Sequence, residues 1–209
     1  MSQHTAQSSK QKRHESSNNH MSIIIFLGRD VKEYESIANK KIELLLSEGK
    51  IQCEFCLLAM GKHSSYYRGI KDMAAKINIT FVRCKLCEHG HALLPDFLLP
   101  YKQYSGAEIE SVIIDGASLP VSQIDTEASE PTARRWIIQA GSRIKRAVSI
   151  LKYLFIEMGQ AISEIQINAG YCYSELEQVL CMAPVALRHS NKLGLANMWL
   201  GRHSRAEHI

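Results

Sequence analysis

The chain has 209 residues and a mass of 23.6 kDa, room for one ordinary domain or two or three small modules. Apolar residues make up 45% and charged residues 22%, which excludes a chain disordered throughout. Lys plus Arg total 25 against 21 Asp plus Glu, a formal charge of +4, so an anionic partner must be argued from where the charge lies.

No uncharged apolar stretch approaches the roughly 18 residues of a membrane span, so no transmembrane helix is expected. The first 20 residues are polar and carry no secretory h-region. The expected location is the cytoplasm, with the six cysteines reduced.

Residues 1–22 contain no aromatic side chain and almost nothing apolar, and read as a disordered tail. Its Lys10, Lys12 and Arg13 could touch phosphates or belong to a plain solvated extension. Met21 stands before the apolar run Ser22–Leu27 and could be an alternative start. That run, short and β-branched, predicts a buried strand.

Val31, Tyr34, Ile37, Ala38, Ile42 and Leu45 recur near helical spacing, and Gly49 supplies a stop, predicting a helix over Val31–Glu48. From Ile51 to about Pro100 short segments alternate with paired cysteines. Ile77–Val82 predicts a strand leading into the second pair.

Cys53-x2-Cys56 and Cys84-x2-Cys87 are two knuckles separated by 27 residues. Each two-residue spacer lets one tight turn aim two sulfurs at one ion, and two turns complete a tetrahedral zinc shell. The stretch Tyr66–Val82 is long enough for a hairpin returning the second knuckle to the first, the geometry of a zinc ribbon. Four thiolates leave no open position for activating water, so the expected Zn2+ is structural. A dithiol redox centre would need one pair in a βαβ setting, which this pattern lacks. Knuckles usually carry Gly after the second Cys; here Leu57 and Glu88 stand there, and Gly90 is expected to do the turn work late in the second knuckle. His89 and His91 lie near Cys87 but are expected beside the shell rather than in it.

Between the knuckles Lys62, His63, Tyr66, Tyr67, Arg68 and Lys71 interleave basic and aromatic side chains. This suits phosphate contact and stacking, and equally a solvated hairpin with tyrosines on its face.

Beyond Tyr104 the pattern is helical. Expected helices cover Gly106–Asp115, Val121–Glu127, Glu130 to about Gln160, Ser174–Cys181 and a segment from Pro184 to Asn191, with Gly201–Ile209 frayed. Val121–Trp136 has the shape of a helix-turn-helix: a short helix ending near Ala128, Ser129 as N-cap, then Glu130 and Pro131 in a first turn. Thr132, Arg134 and Arg135 then occupy the part of a recognition helix that meets bases and phosphates, with Ala133, Trp136 and Ile137 in the core. From Pro131 to Ile156 the sequence holds six basic residues, Arg134, Arg135, Arg143, Lys145, Arg146 and Lys152, and no acidic one. A solvated helix normally mixes both signs. The alternative is a plain helical scaffold.

Cys172 and Cys181 are expected to be buried free thiols acting as small hydrophobes. Met198 and Trp199 are expected to dock the last helix.

The stretch from about Met21 to Lys152 resembles an uncharacterised bacterial zinc-ribbon family of unknown function associated with mobile elements. It is also similar to the DNA-binding front portion of insertion-sequence transposases. The resemblance is carried by Val31–Tyr34, the two knuckles, His91–Pro95 leading to Phe97–Tyr101, and Thr132–Trp136. It implies a ribbon followed by a helix-turn-helix, with DNA as target.

The resulting expectation is an α+β protein with a tail over 1–22, a strand, helix and zinc-ribbon domain over 23–104, a helix-turn-helix region over 105–160 and a helical region over 161–209. It would be a non-enzymatic DNA-binding protein, a mobile-element accessory factor or regulator, contacting double-stranded DNA through Ser129, Thr132, Arg134, Arg135, Arg143, Lys145, Arg146 and Lys152. A transposase or other mobile-element protein as partner, a homodimer and an RNA target stay open. So do two other functions: a protein-interaction adaptor with structural zinc, and a compact transposase. Against the last, only Glu157, Glu164, Glu175, Glu177 and Glu207 follow the helix-turn-helix as carboxylates, too few residues for a two-metal catalytic core.

Overall fold

The computed structural model describes residues 21–159, 172–182 and 192–203. The expected tail up to residue 20, the end of the long helix at Gln160, the segment from Pro184 to Asn191, the residues after His203 and the side chains of Cys172 and Trp199 lie outside what it describes.

The fold is α+β. Strand β1 (Met21–Ile25) leads to helix α1 (Val31–Ser47), so the expected tail ends two residues earlier than its sequence suggests. The helix starts where Asp30 accepts a hydrogen bond from the Glu33 N–H at 2.9 Å, satisfying an end donor. Gly49, at φ +65°, follows its end. Tyr34, Ala38 and Ile42 are buried, and Val31 and Leu45 pack half-buried against the same core. The Tyr34 hydroxyl donates to the Asn78 carbonyl at 2.7 Å, and burial pushes it up to about 12.

Strands β2 (Gly61–Ile70) and β3 (Ala75–Arg83) form an antiparallel hairpin, and β4 (Gly90–Pro95) returns antiparallel to β3. The sheet order is β1-β4-β3-β2. Strand β1 lies parallel to β4, with Met21 opposite His91 and Ile25 opposite Pro95. A parallel pair needs a long crossover; here α1 and the whole hairpin supply it. Ten consecutive residues, His91–Pro100, are buried, so β4 and the loop after it form the spine of the core.

Helix α2 (Gly106–Asp115) follows, capped by Ser105 accepting from the Glu108 N–H at 3.1 Å. The expected helix over Val121–Glu127 is instead a single 3-10 turn, Val121–Gln123. Beyond it the backbone bonds elsewhere: Glu108 Oε1 accepts from Thr126 Oγ1 at 2.6 Å and from the Glu127 N–H at 2.9 Å. Thr126 Oγ1 in turn accepts from the Ala128 N–H at 3.1 Å. Asp, Thr and Ser favour such local bonds over helix. The compact helix-turn-helix expected over Val121–Trp136 is therefore absent, and the helix preceding the long one is α2.

Helix α3 (Glu130–Glu157) buries Ala133, Trp136, Ala140, Ile144, Ala147, Val148, Leu151 and Phe155. Ile137 is half-buried. Trp136 meets Tyr104 edge-on at 5.0 Å. Helices α4 (Cys172–Leu180) and α5 (Lys192–His203) pack against α3, and α5 also reaches β1. The expected frayed end thus begins later, since α5 runs through Gly201 to His203. Met198 is buried as expected, whereas Cys181 is exposed just past α4, because its position lies well away from the buried stripe of Tyr173, Leu176, Val179 and Leu180. No helix among the described residues is long and apolar enough to cross a membrane.

Gly28 joins β1 to α1 at φ +126°, and a Cβ there would meet the Tyr34 backbone nitrogen at 2.7 Å. Gly28→Ala should destabilise the protein by about 2–3 kcal/mol through backbone strain and overpacking, measured as a lower urea midpoint with unchanged metal content.

Candidate metal centre and basic helix face

The two knuckles share one backbone design. In the first, the Leu57 N–H donates to the Cys53 carbonyl at 2.8 Å and the Cys53 N–H to the Leu58 carbonyl at 2.9 Å. In the second, the Glu88 N–H donates to the Cys84 carbonyl at 3.1 Å and the Cys84 N–H to the His89 carbonyl at 2.9 Å. Each turn closes through a left-handed residue, Leu57 at φ 57° and Glu88 at φ 60°. Those are the two positions where sequence reasoning noted the missing glycines. The turn keeps its geometry and bears the cost, about 1–2 kcal/mol per residue.

Gly90 does not perform the late turn expected of it. It opens β4, and a Cβ there would lie 2.3 Å from Phe81 Cζ, so its bareness makes room for a ring on the neighbouring strand. Arg83 braces the second knuckle instead, donating to the Glu88 carbonyl and pairing with its carboxylate, both at 3.0 Å.

The hairpin brings the knuckles together. Sγ of Cys53 stands 3.3 Å from that of Cys87, Cys56 lies 3.3 Å from Cys84, and Cys56 lies 3.5 Å from Cys87. All four sulfurs fall within 4.8 Å of one another. Four sulfurs bound tetrahedrally to one ion at about 2.3 Å would stand about 3.8 Å apart, so the quartet fits a metal ion with small adjustments. Cys53 and Cys84 are buried and the other two half-buried. The backbone N–H groups of Cys87 and Leu86 draw the Cys84 thiol down to about 6. Its hydrogen-bonded neighbour Cys56 is pushed up to about 12, with burial adding to the effect. Four ionised thiols at these distances need a cation, so metal uptake must release protons.

His89 is outside the sulfur cluster and stacks on Phe55 of the first knuckle, ring centroids 4.1 Å apart. His91 is buried in β4. Neither belongs to the group of side chains able to share one ion.

On α3 the basic side chains take the outer face. Arg134, Arg135, Arg143, Lys145 and Arg146 are exposed and Lys152 is half-exposed. At about 100° per residue five of them fall on the half of the helix opposite the buried stripe, and Arg143 stands at its flank. Arg134 pairs with Glu130 at 2.8 Å. Ser129 stands at the N-cap without a side-chain capping bond; its hydroxyl meets that of Thr132 at 2.9 Å. The connection after β4 adds basic groups that sequence reasoning had not singled out. Burial holds the Lys102 ammonium below its usual range, and Arg143 and Arg135 add to this, which places three cations near one another across chain segments. Only the fold could show this, because Lys102 has no distinctive sequence context.

A family model described as a domain of unknown function (DUF6431) matches residues 53–136. The matched span begins at the first metal-site cysteine and ends at Trp136, so this part of the chain is similar to that family. No curated protein and no solved structure matches.

Cys84→Ser should abolish stoichiometric metal uptake and unfold the hairpin, seen by metal analysis and circular dichroism; full metal content in that variant would dissolve the quartet. Leu57 is 71% exposed, so Leu57→Gly removes little packing while relieving the left-handed strain. It should leave stability unchanged or raise it by up to about 1 kcal/mol, measured by denaturant melts of the metal-loaded protein.

Proposed function

We propose that the protein is a non-catalytic DNA-binding protein, a mobile-element accessory factor or regulator acting in the cytoplasm, in which structural Zn2+ holds the ribbon and α3 contacts double-stranded DNA. The observation that carries this is the solvent-facing side of α3, where six basic residues are exposed or half-exposed along a stretch with no carboxylate. Zinc suits the quartet because it accepts four thiolates without a geometric preference of its own. Its binding supplies on the order of 10–16 kcal/mol to folding in comparable small sites.

Thr132 lies in the first turn of α3, at the positive end of the helix dipole, and Arg134 and Arg135 follow in the next turn with their own charge. Arg135 is the stronger candidate for a base contact, since Arg134 must first exchange Glu130 for a phosphate or base. Arg143, Lys145, Arg146 and Lys152 extend the contact along the backbone, where they add affinity without reading sequence.

One observation favours a protein partner instead. Ile138, Tyr153 and Ile156 of α3 are exposed at 70%, 63% and 58%, and exposed apolar side chains spaced along a helix suit docking to another protein. Salt separates the two readings, because counterion release makes DNA binding fall steeply with ionic strength.

Arg134→Ala combined with Arg135→Ala should abolish sequence-specific duplex binding with metal content and helicity intact. Lys145→Ala combined with Arg146→Ala should weaken all duplexes alike and reduce the slope of log affinity against log salt by about 2. Anisotropy titrations across a salt series measure both, and wild-type binding by both variants would sink the duplex reading.

A further inference from the structure

Strand β2 is an edge of the sheet, and two clefts run along its side. One, of about 400 Å³, lies between Tyr66, Phe81 and Tyr101, with Arg68 and Lys102 in its wall. The other, of about 520 Å³, shares Tyr66 and Arg68 and continues past Tyr67 to Lys71 and Lys76. No acidic residue occurs among the described residues lining either one.

The loop bearing Tyr101 is built into place. Arg68 reaches from β2 and donates through Nη2 to the Leu99 carbonyl at 2.6 Å and to the Lys102 carbonyl. Between those two carbonyls Tyr101 adopts φ 60°, a conformation that a bulky residue takes at a cost of about 1–2 kcal/mol. The result is a ring 78% exposed beside the cleft, whose other wall includes Tyr66, 43% exposed. Strain of this kind tends to mark ligand sites. Burial also disfavours the charge of Arg68 and of Lys102, so a ligand that brings negative charge relieves both. Lys102 also lines a small, mostly apolar crevice with Gln139 and Arg143 of α3, so the loop that carries it lies against that helix.

We propose that this groove binds an unpaired nucleic-acid strand, with one base stacked in the cleft beside Tyr66 and Tyr101 and the flanking phosphates on Arg68 and Lys102. Aromatic platforms within a cationic groove are the chemistry of single-strand binding, whereas a base inside a duplex cannot reach such a cleft. The inference rests on the nucleic-acid reading for its ligand class, but on different residues. Single-stranded DNA is the occupant, as the strand exposed when a duplex held by α3 opens.

The test is anisotropy with metal-loaded full-length protein and a labelled oligothymidine of about 12 nucleotides, within the range of comparable grooves. Tyr101→Ala should weaken binding about 5- to 150-fold, the factor that corresponds to one stacked base. Tyr101→Phe should retain affinity, because the ring and not the hydroxyl stacks. Duplex affinity should be unchanged in both. Tyr66→Ala gives a second reading of the same cleft, and metal content and melting verify that each variant folds. Tighter binding of oligouridine, equally sensitive to Tyr101→Ala, would support the groove and assign it to RNA. Single-strand affinity indifferent to Tyr101→Ala and Tyr66→Ala would overturn the groove even if duplex binding persists. Duplex binding absent with Tyr101-dependent strand binding retained would overturn the duplex reading and leave the groove standing.

Discussion

Four sulfurs held within 4.8 Å set the geometry on which the rest of this molecule depends. They pin the two ends of a long hairpin to one point, so the strands between them must run out and back in register. The second knuckle then releases the chain in one direction, and that direction is β4. A sheet of four strands has little apolar area to stabilise it, and an ion held at its base would add what packing alone does not. The left-handed Leu57 and Glu88 show how strongly the centre dictates its surroundings, since side chains are held there in a conformation that glycine would adopt without strain.

From that point the core is organised by one run of sequence. His91–Pro95 becomes β4 and Phe97–Pro100 the buried loop behind it. The strand is covered on both sides, which is why its residues are continuously apolar rather than alternating. The run that carried the family resemblance is thus the most deeply packed part of the chain, and its final residue, Tyr101, is where the chain returns to the surface. The chain just beyond it ties the ribbon to α3, where Tyr104 meets Trp136 edge-on.

The metal centre was legible because cysteine pairs with fixed spacing carry a geometric demand that sequence alone expresses. Helix α1 was legible from its periodicity and the stop at Gly49, α2 from a helical pattern, and the basic side chains of α3 from the one-sided charge between Pro131 and Ile156. The segment Val121–Glu127 misled because its apolar spacing resembles one helical turn, while Glu108, distant in sequence, takes its hydrogen bonds. Gly90 misled for a similar reason: a glycine near a turn suggests the turn, yet the atom that requires it belongs to Phe81 on another strand. The pairing of β1 beside β4 and the groove along β2 depend on residues brought together only by the fold, and neither leaves a local signature.

The parallel pairing of β1 with β4 couples the start of the described chain to the metal. Met21–Ile25 has its partner in β4, which follows α1 and both knuckles along the chain. Without that partner its three consecutive isoleucines are an unsatisfied β edge of the kind that recruits other chains. An ion bound by the quartet would, by fixing both knuckles and the exit of β4, also fix the strand that covers this edge.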